Sequence, residues 1–151
     1  MKKVDQPIAN VMSKNVITIE LSTNNLETAE LLFRKHKIKH LPVTDKGQIV
    51  GLLSLTDLQR LSFVNNFGED EFDVDTAVYD MLSLEQVMVG KPVMVSPSQT
   101  VRDAAQILTK EAFHALPVAE DGQLVGIVTT TDLIQLLLEE AGSLSEYSDK
   151  K

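Results

Sequence analysis

Two pseudo-symmetric β-α-β-β-α units, a mixed α+β (α/β mixed) architecture with a short helix ahead of each, are expected from three features of this 151-residue chain. First, residues 41–58 (LPVTDKGQIVGLLSLTDL) and 116–133 (LPVAEDGQLVGIVTTTDL) share ten of eighteen positions at an offset of 75. Second, the match runs outward. Val11-Met12 answers Val87-Met88 and Ile19 answers Val95 at an offset of 76, while Leu26, Ala29 and Phe33 answer Val101, Ala104 and Leu108 at 75. Third, in both copies a helical apolar spacing is followed by two strand-like runs around a glycine. Self-similarity at a fixed period marks one structural unit built twice. A unit this small buries only a modest core, so the two are expected to pack on each other through their sheets.

The elements follow in order. Pro7 suits the start of a short opening helix, where a missing N–H costs nothing. Residues 16–19 and 93–95 are rich in β-branched side chains and read as short strands. Asn25 and Thr100 are capping residues, and Thr100 with Asp103 forms a capping-box pattern. Behind them Leu26, Ala29 and Phe33, and Val101, Ala104, Ala105, Leu108 and Ala112, recur at helical spacing. Leu41-Pro42-Val43 and residues 49–53 then flank Asp45-Lys46-Gly47-Gln48. Leu116-Pro117-Val118 and residues 124–128 flank Glu120-Asp121-Gly122-Gln123. Gly47 and Gly122 supply the positive φ that tight hairpins require. Pro42 and Pro117 cannot donate to a ladder, which places them at a strand start or edge. A last helix begins near Ser54 or Thr129. The domain reading is unit 1 over 7–64, a linker over 65–83, unit 2 over 84–141, and a frayed tail over 142–151.

Composition narrows the function. The chain has no cysteine, which rules out disulfides and thiolate chemistry. Its net charge of −8 argues against nucleic acid, whose binding needs a positive field. The N-terminus lacks an apolar signal region and no apolar run approaches bilayer length; a cytoplasmic protein is the default expectation. The acids Glu69, Asp70, Glu71, Asp73 and Asp75 lack the spacing of a calcium loop. His36 and His40 have i,i+4 spacing, but a strand should begin between them and no third ligand is apparent. No metal is expected. No nucleophile–base pair and no G-x-S-x-G, H-E-x-x-H, G-x-x-x-x-G-K-[S/T] or G-x-G-x-x-G pattern occurs, so no enzyme is expected and no catalytic residue is assigned.

The most informative pattern is G-x-x-[S/T]-x-x-D at the strand-to-helix junction. It stands as Gly51…Ser54-Leu55-Thr56-Asp57 and as Gly126…Thr129-Thr130-Thr131-Asp132. It reads two ways. Ser/Thr with Asp three residues on is a helix cap. The same atoms suit a nucleotide: helix-terminal amides and a hydroxyl for phosphate, and a carboxylate one turn on for ribose hydroxyls, as in dinucleotide folds. The run Arg34-Lys35-His36-Lys37-Ile38-Lys39-His40 is basic in an acidic chain. Its cations complement a helix C-terminus, or they lead a phosphate-facing patch into the strand.

Leu-Pro-Val, the Gly-Gln hairpin, Val-Gly and [S/T]-x-x-D-Leu, present twice in order, give the chain its resemblance over residues 7–140 to a tandem pair of CBS domains (the cystathionine-β-synthase domain family), often called a Bateman module. That resemblance implies a stand-alone regulatory module. It implies clefts that take an adenosyl ligand, AMP, ADP, ATP or S-adenosylmethionine, as effector, with no cofactor required. The family's ribose-binding Asp falls on Asp57 and Asp132, and its phosphate-side hydroxyl on Ser54 and Thr129, with Thr131 beside it. Pocket-lining positions fall on Lys39, His40 and Pro42, on His114, Ala115 and Pro117, and on Thr18-Ile19 and Met94-Val95. Many members carry Arg immediately ahead of the apolar-Pro pair; His40 and Ala115 stand there, which argues against polyphosphate, chiefly at the second copy. The last helix, with Leu133, Ile134, Leu136, Leu137 and Leu138, covers more than one face in apolar residues. With Leu58, Leu61, Phe63 and Val64 of the first copy it is expected to serve both core and subunit interface; the resemblance implies a homodimer and a separate, unknown effector protein. The alternative is a ligand-free interaction or dimerisation scaffold.

Overall fold

A computed structural model describes residues 2–65, 76–111 and 113–148, and the side chains of 2–61, 79–111 and 113–142. Ala112, the acids Glu69, Asp70, Glu71, Asp73 and Asp75, the side chains of Phe63 and Val64, and residues 149–151 of the tail lie outside those sets. The architecture is mixed α+β. The chain forms two compact bodies, one of residues 16–92 and one of residues 1–15 with 93–151. Each repeat is therefore completed by the segment that precedes the other.

In the first body, β1 (Ile19–Glu20) runs parallel to β2 (His40–Asp45), with Ile19 opposite Val43 and Glu20 opposite Thr44. The expected strand over 16–19 has moved to its C-terminal end, where Leu21 N–H reaches the Thr44 carbonyl at 2.7 Å. Helix α1 (Leu26–His36) starts at Asn25, whose side chain accepts from Thr28 N–H at 3.0 Å. It buries Leu26, Ala29 and Phe33 and ends at Lys37 in the left-handed region. Strand β2 then pairs antiparallel with β3 (Gln48–Ser54). Lys46 (φ 54°) and Gly47 (φ 82°) link them, two positive-φ residues in the two-residue hairpin whose twist matches the strands. Helix α2 (Leu55–Asn65) follows. Part of the segment read as a linker is helical, as α3 (Thr76–Met81); beyond it α4 (Leu84–Val87) leads into β4 (Val89–Gly90), which adds antiparallel to β3.

The second body repeats the plan. Thr100 and Asp103 form the anticipated capping box on α5 (Val101–Lys110). Strands β5 (Ala115–Glu120) and β6 (Gln123–Thr129) pair around Asp121 (φ 52°) and Gly122 (φ 80°). The register slips after Val118 as it does after Val43, so the bulge is duplicated with the sequence. The strand expected over 93–95 is reduced to Val95, bridged in parallel to Val118. Val95 N–H donates to the Pro117 carbonyl at 3.0 Å and Ala119 N–H donates to the Val95 carbonyl at 2.9 Å. Pro117 thus faces that short strand ahead of its first donated rung, where a missing N–H breaks nothing. Helix α6 (Thr130–Ser148) closes the chain.

The N-terminal segment is strapped across this second body. Ile8 N–H donates to the Gln99 carbonyl (2.7 Å), Val101 N–H to that of Gln6 (3.0 Å), and Ser13 exchanges both backbone bonds with Ile127. Pro7 precedes a single 3-10 turn, Ile8–Asn10, rather than a longer helix. Ile8 is fully buried with Val95, Ala104, Leu116, Val118 and Val128. The first body's core joins Ile19, Phe33, Leu41, Val43 and Leu53 to Tyr79 and Leu84 from the preceding segment. Each such aliphatic side chain contributes about 1.5–3 kcal/mol when fully buried.

Candidate functional site

The duplicated motif sits at the corner between the second hairpin strand and the following helix. In the first body Leu55 N–H donates to the Lys39 carbonyl (2.9 Å) and Asp57 N–H to Ser54 Oγ (3.0 Å). In the second, Thr130 N–H donates to the His114 carbonyl (3.0 Å) and Asp132 N–H to Thr129 Oγ (3.2 Å). The cap reading of the motif is therefore in use. The corner is a helix cap, and two of the first three helical amides are taken by the chain itself. Neither bond takes up the second amide, of Thr56 or Thr131. Each hydroxyl acts as an acceptor, so its own O–H proton remains to be donated.

The two carboxylates differ. Asp132 Oδ2 accepts from Thr129 N–H at 2.9 Å, completing a capping box. A carboxylate has roughly four acceptor sites, so Oδ1 keeps capacity for a ribose hydroxyl. Asp57 Oδ1 lies 3.5 Å from Arg60 Nη1, one turn on along α2.

Beside Asp132 lies a hollow of about 510 Å³, within the range of small-molecule sites. Helix α6 lines it with Asp132, Gln135, Leu136 and Glu139. The N-terminal segment lines it with Lys2, Lys3, Gln6 and Asn10. Both walls belong to the second body.

The other anticipated residues divide by exposure. His40 stands opposite Ser54 in the β2–β3 register and Ala115 opposite Thr129 in β5–β6, so the strand starts do meet the motif corners. Thr18, Lys39, Met94, His114 and Thr131 are exposed. Pro42, Pro117, Ala115, Ile19 and Val95 are buried; none of these five side chains is open to a ligand here. Of the basic run, Arg34 pairs with Glu30 at 2.6 Å along the last turn of α1.

Sequence reasoning missed the wall formed by Lys2, Lys3, Gln6 and Asn10. A signal was present: at the offset of 76, Lys2-Lys3 answer Val78-Tyr79 and Gln6 answers Leu82. Polar residues standing where the copy is apolar mark a surface turned toward water.

The profile of the CBS domain matches residues 8–63 and 84–139. The uncharacterized protein MJ1426 of Methanocaldococcus jannaschii is 30% identical over 154 residues, covering 87% of this chain and 90% of that protein. MJ1225 of the same archaeon is 28% identical over 134 residues, and this chain spans 44% of its length. CBS domain-containing protein YhcV of Bacillus subtilis is 28% identical, with 90% of each chain covered. Among solved structures, the CBS domain pair of MJ0100 in complex with 5'-methylthioadenosine and S-adenosyl-L-methionine superposes with a TM-score of 0.72 at 25% identity, covering 87% of this chain and 99% of that one. Among the described residues no helix is long and apolar enough to cross a membrane.

Proposed function

The chain belongs to the CBS domain family, as a tandem pair, and on that premise we propose that it is a non-catalytic regulatory module that senses an adenosyl ligand and switches a separate protein in the cytoplasm. The observation that carries this reading is Asp132, set by its own capping box on the wall of an open 510 Å³ hollow. Asp132 Oδ1 takes the ribose hydroxyls, and Thr129 Oγ with the Thr131 amide takes the first anionic group. The second copy is the live one, and Asp57 with Ser54 is its counterpart in the first. The solved MJ0100 pair, with two adenosyl compounds bound, supports the ligand class. A ligand shifts a conformational equilibrium only by its differential affinity for the two states, so the signal must be a change in how the partner sees the module.

Titration calorimetry with AMP, ATP and S-adenosylmethionine tests the proposal. At least one binds, and Asp132→Asn weakens it about tenfold or more, the cost of losing a charged hydrogen-bond acceptor. Folded protein that gives no heat with any of the three overturns it.

A specific observation favours a dimer as well. Ile134, Leu137 and Leu138 form one stripe on α6 and are 55%, 64% and 63% exposed. A second copy of the chain covers this stripe in our reading, making a homodimer. Sedimentation equilibrium at micromolar concentration returns the dimer mass; a monomer sinks it. Were the dimer present and a protein partner captured equally with and without nucleotide, the scaffold reading would replace the sensor.

A further inference from the structure

The hollow beside Asp132 holds charges of both signs, and their origin is informative. At the start of β5 the motif position carries Ala115, which is buried and uncharged. No cation reaches the corner from that strand position. The cations come instead from the chain's N-terminus: Lys2 and Lys3 line the hollow opposite Asp132 and Glu139. Among the described residues neither lysine forms an ion pair. Arg102, on the same side of the body, is committed to Asp5, with its Nε 3.0 Å from Asp5 Oδ1. That pair, the Val101–Gln6 bond and the Ile8–Gln99 bond fix the backbone that carries the lysines. Two flexible ammonium groups on a fastened segment, facing an open hollow, are an anion site in search of its anion.

We infer that Lys2 and Lys3 hold the anionic end of the ligand at Asp132, replacing a cation that the β5 start does not supply, and that Asp132 and Glu139 limit that end to one phosphate or carboxylate. This rests on the adenosyl reading above. A single phosphate brings a charge that the two lysines balance. A triphosphate brings further negative charge against the two carboxylates on the α6 wall, and like charges at close range disfavour it. The shared chemistry is a compact anion beyond the ribose, supplied by a nucleoside monophosphate or by the amino-acid tail of an adenosyl thioether or sulfonium.

Calorimetry on the full chain with adenosine, AMP, ATP and S-adenosylmethionine decides it, repeated on the Lys2→Gln/Lys3→Gln double variant and on Glu139→Gln. AMP or S-adenosylmethionine binds about tenfold tighter than adenosine, and which of them does so identifies phosphate or carboxylate as the anion. The double variant brings that ligand most of the way to the level of adenosine, leaving only what Thr129 Oγ and the Thr131 amide hold, with adenosine itself unchanged, and the salt dependence of its affinity flattens. Glu139→Gln narrows the gap between AMP and ATP. Both lysines are exposed, so the variant keeps its fold, checked by circular dichroism. Should the double variant bind the anionic ligand as well as the unaltered protein does, or should ATP bind tighter than AMP to the unaltered protein, this inference fails while the adenosyl reading stands. Should none of the four bind, both fall together.

Discussion

Each repeat is fastened by the segment that precedes the other, but the two fastenings are made of different chemistry. In the first body Tyr79 does the work. It is 4% exposed, packs among Phe33, Leu53 and Leu84, and its hydroxyl donates to Glu30 Oε2 at 2.7 Å. Burial first, and the Glu30 carboxylate second, push its phenol well above the ordinary tyrosine range. In the second body the position answering Tyr79 is Lys3, and the side-chain hydrogen bond to the helix is that of the exposed pair Asp5 and Arg102, beside the Val101–Gln6 backbone bond. The hydrogen bond from Arg102 holds the Asp5 carboxyl below its usual range. A buried aromatic secures one crossing; an ion pair in water stands at the other. Duplication kept the hairpins and bulges, and the strap is where the copies diverge. The α6 stripe shows the same asymmetry: Gln59 and Ser62 stand in α2 where Ile134 and Leu137 stand in α6.

The largest test of this contrast removes the aromatic. Tyr79→Ala is expected to destabilise the protein by about 3–5 kcal/mol, the figure for truncating a buried aromatic, measured by urea denaturation. Tyr79→Phe keeps the ring and strands Glu30's acceptor, costing about 1 kcal/mol. The pH dependence gives a second handle. Above pH about 10 the unfolded chain's tyrosine ionises while folded Tyr79 keeps its proton. Its contribution is thus intact below that pH and lost as pH rises beyond it, and Tyr79→Phe removes this part of the alkaline slope.

A middle-sized effect sharpens the comparison at the sheets. A Cβ on Gly126 would stand 2.6 Å from Met12 Sδ and 3.0 Å from the Ser13 carbonyl oxygen. A Cβ on Gly51 would overlap Met88, whose side chain supplies all three nearest atoms. Overpacking costs about 1–3 kcal/mol. Gly126→Ala is expected at the upper end because a paired backbone cannot retreat; Gly51→Ala falls lower because a methionine can turn aside. Trimming Met88 to Ala rescues the second variant more fully than Met12→Ala rescues the first. Equal costs and equal rescue would contradict this account.

The smallest effect is at the exposed strap. Arg102→Gln lowers stability slightly at low salt, and the difference disappears in molar salt. A loss that persisted in high salt would mean the pair is not the water-exposed tie described above.

Much of this fold is legible in the sequence, for physical reasons. Asn25, Thr100 and Asp103 cap helices because their short side chains fit the free amides, and Gly47 and Gly122 mark hairpins because positive φ is costly elsewhere. The motif corners were legible as places, with the cap written in Ser54, Thr129 and Asp132. The exchanged segments were not. Strand β4 has two residues, the Ser13–Ile127 pairing is a single bridge, and the opening helix is one 3-10 turn. None is long enough to print a period on the sequence. Lys2 and Lys3 escaped notice because nothing local says what a terminal lysine faces; only the offset copy, with its tyrosine, shows that the position lies against a helix.

The exchange also sets an order of birth. Residues 16–92 are contiguous and can close as soon as β4 is made. The other body needs residues 1–15, made before the whole first body, to meet Gln99, Val101 and Ile127, made after it. On the ribosome, where domains form as their sequence appears, residues 1–15 must wait while the first body is made before they find their place, and the wall of the hollow that they carry is assembled only after that body has closed.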